Sequence, residues 1–81
     1  MANVALSSNL APYTDGVLEF ELDVANVRQL FDALGERYPD LRLQLDQGIA
    51  VAIDGEIYQD ALLQPIRSDS EVILITKIAG G

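Results

Sequence analysis

The sequence predicts an α+β domain in which one helix crosses a single mixed sheet of four or five strands. Three observations predict it. Residues 17–23 alternate apolar and acidic side chains at period two. Residues 26–38 carry apolar side chains at helical spacing behind a capping residue. Residues 72–79 form an apolar run that leads directly into Gly80-Gly81.

The first element is a strand over residues 3–10, with Val4 and Leu6 on one face. Residues 11–16 read as a turn carried by Pro12 and Asp15-Gly16. In the second strand, residues 17–23, Leu18, Phe20 and Leu22 face inward while Glu19, Glu21 and Asp23 face outward; with the first strand it makes a hairpin. Asn26 is a helix N-cap, with Gln29 three residues on as a variant of the capping box. Val27, Leu30, Phe31, Leu34 and Tyr38 then lie on one helical face. Gly35 weakens that helix modestly, and Pro39 ends it because the residue before a proline avoids the α region. Residues 41–45 read either as a short strand or as an irregular packed segment. Residues 46–48 are a turn, 49–53 a strand ended by Asp54-Gly55, and 56–58 a short strand after it. Residues 60–67 are a connection holding Leu62, Leu63 and Ile66 and interrupted by Pro65, and residues 68–70 turn the chain into a final strand over 71–78. This order is the β-grasp, or ubiquitin-like, plan, in which the last strand is central and parallel to the first. Residues 1–79 form the domain and residues 80–81 a flexible tail.

Composition narrows the chemistry. The chain has 81 residues, 49% of them hydrophobic, and no cysteine, so a single small domain must stand on packing alone. Net charge is −8, with Arg28, Arg37, Arg42, Arg67 and Lys77 the only cations. Nucleic acid and anionic membrane surfaces are therefore disfavoured, and a protein with a basic surface is the better partner. The first eight residues lack the basic and apolar regions of a signal peptide, and the expected location is cytoplasmic. The absence of histidine and cysteine removes the usual bases and nucleophiles. Asp54 and Glu56 are better read as turn residues than as a carboxylate pair or metal site, and no metal is expected. Glu19, Glu21 and Asp23 read as a solvated face or, less often, as a contact for a basic partner. Phe31, Leu34 and Tyr38 are core, and Tyr13 and Tyr58 carry no readable role.

The terminal diglycine is the feature with chemical consequence. Without a Cβ the tail is thin and adopts nearly any backbone angle, so it suits a narrow active site on another protein. Five extended residues, Lys77 to Gly81, reach ~17 Å. An ionised carboxylate, with a pKa of about 3.5, is a poor electrophile until a leaving group is installed, and this chain has nothing to install one. Ile73 and Ile75 point away from the helix if Val72 and Leu74 point toward it. They then form either an exposed partner-docking patch or a surface buried under the 56–67 connection. Lys77, the only lysine, either steers the tail or is simply solvated.

Several segments together resemble a known family. Residues 26–39 end in Arg37-Tyr38-Pro39, residues 53–56 read Ile-Asp-Gly-Glu, and residues 70–81 combine Ser70-Glu71-Val72, an apolar strand and Ile78-Ala79-Gly80-Gly81. Across essentially the whole chain these are similar to the ubiquitin-like sulfur carriers of the MoaD/ThiS family. Residues 10–16 resemble the Tyr/His-Thr-x-Gly hairpin of its cysteine-biosynthesis branch. Most molybdopterin-synthase small subunits, by contrast, carry proline where this chain has Thr76 or Lys77.

The resemblance implies a carrier rather than an enzyme, either a co-substrate or the small subunit of a sulfur-transferring synthase. An E1-like adenylating enzyme, using ATP that the carrier itself does not hold as a cofactor, activates the Gly81 carboxylate. A persulfide or sulfide donor then converts it to a thiocarboxylate, and a synthase accepts the sulfur for cysteine, molybdopterin, thiamin or a secondary metabolite. Gly80, Ala79 and Ile78 are the implied tail, and Lys77, Ile75 and Ile73 the partner-binding residues. Two alternatives use the same ending: a protein modifier joined through Gly81 to lysines, and a non-catalytic β-grasp interaction domain.

Overall fold

The computed structural model of the chain describes residues 1–59 and 61–76. Strands β1 (Ala2–Leu6), β2 (Glu19–Leu22), β3 (Ile49–Ile53), β4 (Glu56–Tyr58) and β5 (Glu71–Thr76) form one five-stranded sheet in the order β2-β1-β5-β3-β4. The last strand is central, parallel to β1 and antiparallel to β3, as the sequence predicts for a β-grasp domain. β1 and β2 pair antiparallel with Val4 opposite Phe20.

Helices α1 (Val27–Arg37) and α2 (Pro39–Asp46) supply the layer that covers one side. Ala2, Val4, Leu6 and Phe20 from the β1–β2 pair, Val51 and Ile53 from β3, and Val72 and Leu74 from β5 are buried with Val27, Leu30, Leu34, Leu41 and Leu45. Residues two apart on a strand share a face, so the alternate positions of β1, β3 and β5 lie on the side without helices.

The start of α1 follows the capping logic closely. The Asn26 side-chain oxygen accepts from the Gln29 amide at 2.9 Å, and the Gln29 side-chain oxygen accepts from the Ala25 amide at 2.8 Å. The return bond reaches one residue further back than in the standard box. The next amides, Val27 and Arg28, donate to the Gln64 and Leu62 carbonyls at 3.1 and 2.8 Å. The 61–66 connection therefore lies along the N-terminus of α1, with Ile66 buried and Leu62 and Leu63 exposed. It does not cover Ile73 and Ile75, which settles the two readings of those residues in favour of exposure.

Two segments differ from the sequence expectation. The first strand does not extend to residue 10; Ser8–Tyr13 is a 3₁₀ helix. The Leu10 amide donates to the Ser7 carbonyl at 3.0 Å, and the Ser7 hydroxyl donates to the Asn9 side chain at 2.7 Å. Ser-Ser-Asn offers the backbone these local bonds in place of a ladder, and the turn drives Leu10 into the core. The hairpin is completed by buried Thr14, whose hydroxyl donates to the Val17 carbonyl at 2.6 Å, and by Asp15 and Gly16 at φ 55 and 84.

Residues 39–46 are a second helix, not a strand or an irregular segment, so the sheet carries two helices rather than one. Pro39 both ends α1 and opens α2, where its missing N–H costs nothing and its φ is already helical. Leu41 and Leu45 are buried one helical turn apart while Leu43 is exposed. Gly35 is likewise more than a weak helix position. A Cβ there would lie 2.6 Å from Arg42 Cδ, so the glycine makes room for the Arg42 side chain to lie across α1. Arg42 then reaches Asp32 at 3.0 Å and Asp46 at 3.7 Å.

Candidate functional site

The segment that carries the candidate chemistry follows β5 in sequence, and both ends of β5 are fixed by side chains far away in sequence. At its start, Asp54 occupies the β3–β4 turn at φ 49, beside Gly55 at φ 89. Two successive positive φ values are those of a type I′ hairpin turn, which matches the twist of the flanking strands. From there Asp54 Oδ1 accepts from the Glu71 amide and Oδ2 from the Ser70 hydroxyl, each at 2.9 Å. The Ser70 Oγ, itself buried, also accepts from the Arg67 amide at 3.0 Å. The Glu71 amide, then the Ser70 hydroxyl and the nearby Arg67 charge, hold the Asp54 carboxyl below its ordinary range. At the other end Thr76 pairs with Ile49 across the β3 ladder, and its hydroxyl oxygen accepts from the Asn9 side-chain amide. Asn9 sits on the 3₁₀ helix that the sequence reading took for strand.

On the uncovered side of the sheet, three isoleucines are exposed: Ile73 by 45%, Ile75 by 36% and Ile57 by 64%. Register makes them neighbours. Ile73 lies between Ala5 and Ala52, Ile57 lies on the far side of Ala52, and Ile75 lies beside Ala50. The small residues between them leave the isoleucines standing proud. Beside this apolar area, toward β2, lies a shallow cavity of about 410 Å³ between Glu19 and Glu21 on one side and Glu71 and Ile73 on the other. Ile57 was missed by sequence reasoning, because a three-residue strand gives too little alternation to orient it.

Of the site residues expected from sequence, Ile73 and Ile75 lie on this open face. Lys77, Ile78, Ala79, Gly80 and Gly81 lie outside the described residues. Asp54 and Glu56 do not act as a pair. Asp54 fastens β5, while Glu56 accepts from the Tyr58 hydroxyl at 2.7 Å, a bond that raises the phenol pKa. Among the described residues there is no group of three or more metal-binding side chains, and no helix long and apolar enough to cross a membrane.

The ThiS family profile matches residues 6–81. The chain belongs to the ThiS family. It is thus one of the ubiquitin-like, β-grasp proteins of the sulfur-carrier and modifier type. No curated protein sequence matches it. Among solved structures, it is similar to a chain of the Amycolatopsis orientalis BexX/CysO complex, with a TM-score of 0.82, 19% identity and full coverage of both chains (100% and 100%). It is also similar to SAMP1 from Haloferax volcanii, with a TM-score of 0.72, 25% identity and coverage of 99% of this chain and 98% of that one. The small archaeal modifier protein 1 from Methanosarcina acetivorans gives a TM-score of 0.79 at 21% identity, covering 99% of this chain and 95% of that one. These likenesses place ThiS-family membership on the β-grasp fold described above, with β5 as the strand that precedes the diglycine.

Proposed function

We propose that this ThiS-family chain is a sulfur carrier whose reactive group is the Gly81 carboxylate. The observation that carries the reading is the placement of β5. It is the central strand, paired on both sides and fastened at Glu71 and Thr76, and it runs in sequence straight into Lys77-Ile78-Ala79-Gly80-Gly81. A thin tail on a fixed base can be delivered into another protein's active site with little loss of entropy beyond the tail itself.

The steps divide between carrier and partners. The Gly81 carboxylate attacks the α-phosphorus of ATP on an E1-like enzyme, expelling pyrophosphate and leaving an acyl-adenylate. Hydrosulfide then displaces AMP and leaves the thiocarboxylate. If the donor is a persulfide, the first product is an acyl disulfide, and a thiol reductant releases the thiocarboxylate from it. On an accepting synthase the thiocarboxylate sulfur attacks the acceptor substrate and displaces its leaving group. Water then hydrolyses the acyl bond, which leaves the sulfur on the product and returns the Gly81 carboxylate. The domain supplies recognition: Ile73 and Ile75 dock the partner beside the base of the tail, and Lys77 precedes the tail. Glycine at 80 and 81 keeps the tail narrow. The carrier needs no histidine or cysteine of its own, because acid, base and nucleophile belong to the partners.

The alternative reading, a modifier joined through Gly81 to lysines, draws on the likeness to the two archaeal proteins named as modifiers. Both readings begin with adenylation and part at the acceptor. Feeding the native host with radioactive sulfide separates them. The chain has one methionine and no cysteine, so once methionine synthesis is suppressed by supplied methionine, label on the chain reports a terminal sulfur. The carrier reading expects label on the wild-type chain and none on a chain lacking Gly81. Gly81-dependent conjugates of higher mass without sulfur label would favour the modifier.

A further inference from the structure

We infer that the open face of the sheet takes a protein partner that presents an apolar patch to Ile57, Ile73 and Ile75 and one cationic side chain, arginine or lysine, to the trough over β1. This inference rests on the carrier reading, and it adds what the docking partner must look like and which way round it must bind.

Cross-strand register builds the trough. Asn3 lies between Glu21 on β2 and Glu71 on β5, and Ala5 lies between Glu19 on β2 and Ile73 on β5. Short side chains on β1 thus form the floor, and longer ones on both neighbours form the walls. Two strand spacings separate the walls, about 10 Å, which is room for one alkyl chain with a planar or tetrahedral cation at its end. The Ala5 part of the floor and the Ile73 wall are apolar, as the stem of arginine or lysine requires. The Asn3 side chain adds a hydrogen-bond acceptor, and Glu21 and Glu71 face the cation from opposite sides. Among the described residues the ion pairs all involve Arg42 on α2, so none of Glu19, Glu21 and Glu71 is paired with a cation among those residues.

Among the described residues of this face, the charge is placed on one side only. Glu19, Glu21 and Glu71 lie toward β2 and the start of β5, whereas Ile75, Ala50, Ala52 and Ile57 lie toward β4 and the end of β5. From Glu71 to Ile75 along the strand is about 13 Å. A partner must therefore carry its cation roughly that distance from the apolar group that covers Ile75. Turned end for end, it would bring its cation onto the isoleucines and leave the carboxylates against apolar surface, which is costly. The face thereby selects one orientation of the partner relative to β5 and to its end at Thr76. A second copy is a poor occupant: the chain carries a net charge of −8, and two such faces would oppose their carboxylates.

The test is an amide NMR titration of the full chain with n-butylguanidinium as the probe. The expected shifts cluster at Asn3, Ala5, Glu21, Glu71 and Ile73. In the double variant Glu21→Gln/Glu71→Gln, whose side chains are exposed and whose spectrum reports its own folding, affinity should fall roughly tenfold. A chain lacking Gly81 should bind the probe as the wild type does, so this result and the sulfur-labelling result can fail independently. Shifts spread evenly over Glu36, Asp40, Asp46 and Asp69, or affinity unchanged in the double variant, would overturn the inference. So would sedimentation showing a dimer that Ile73→Ser dissociates, because the face would then belong to a second copy.

Discussion

Val72 and Leu74 are 1% and 0% exposed, while Ile73 and Ile75, the alternate residues of the same strand, are 45% and 36% exposed. All four belong to one apolar run and read alike in composition. The pleat separates them: one pair holds the helices to the sheet, and the other stands open next to the segment that carries the diglycine. A central strand covered on both faces would read as such a run for structural reasons alone. Here half of the run leaves a large part of its apolar surface uncovered by the described residues, and that surplus is what points to a partner.

Substitutions on the two sides should therefore have opposite signatures. The largest loss of stability is expected from Leu74→Ala, which empties a fully buried position at the centre of the sheet and should cost about 2–5 kcal/mol in chemical denaturation. Fastening the strand comes next. Asp54→Asn keeps a residue that tolerates positive φ but removes the carboxylate that holds Ser70 and Glu71, so stability should fall by less than for Leu74→Ala. Its pH dependence identifies the cause. The folded Asp54 pKa lies below its unfolded value of about 3.9, so the native state binds fewer protons across that interval and stability rises with pH there. The wild-type advantage is complete above about pH 4 and is lost as pH falls through the folded pKa. Urea unfolding of both chains from neutral pH down to acid should show the two curves converging. Parallel curves would mean that the carboxylate does not fasten β5.

The smallest changes in stability belong to the open face. Ile73→Ser with Ile75→Ser should cost about 1 kcal/mol at each site, well below Leu74→Ala, yet sharply reduce sulfur labelling in the host. Equal labelling would show that the exposed isoleucines do not dock the partner. Asn9→Ala should leave global stability nearly unchanged and speed hydrogen exchange at Ile75 and Thr76, because it removes the side chain that meets Thr76.

Most of the scaffold was legible in the sequence because its signals are local. The Asn26 cap, the period-two alternation of 17–23, the Asp54-Gly55 turn and the final apolar run each announce one element. The two misread segments fail for a physical reason. Leu41, Leu43 and Leu45 satisfy strand alternation as well as the i, i+4 spacing of a helix, and the choice is made by Pro39 at the first helical position and by α1 alongside. Ser7 to Asn9 prefer their own side-chain hydrogen bonds to a ladder. In the candidate site, Ile73 and Ile75 were legible from β5 alone. Asn9 was not, because its contact with Thr76 spans 67 residues of sequence. Ile57 and the trough over β1 arise from register across all five strands, which no single segment displays.

The central claim is that Gly81 ends the chain as a carrier of sulfur. Intact-mass spectrometry of the protein isolated from its native host tests it most directly. The account predicts a population in which one oxygen of the C-terminal carboxylate is replaced by sulfur, reverting to the carboxylate on hydrolysis. A terminus found only as carboxylate or as an amide to other proteins, in cells whose sulfur-transfer pathways are running, would contradict it.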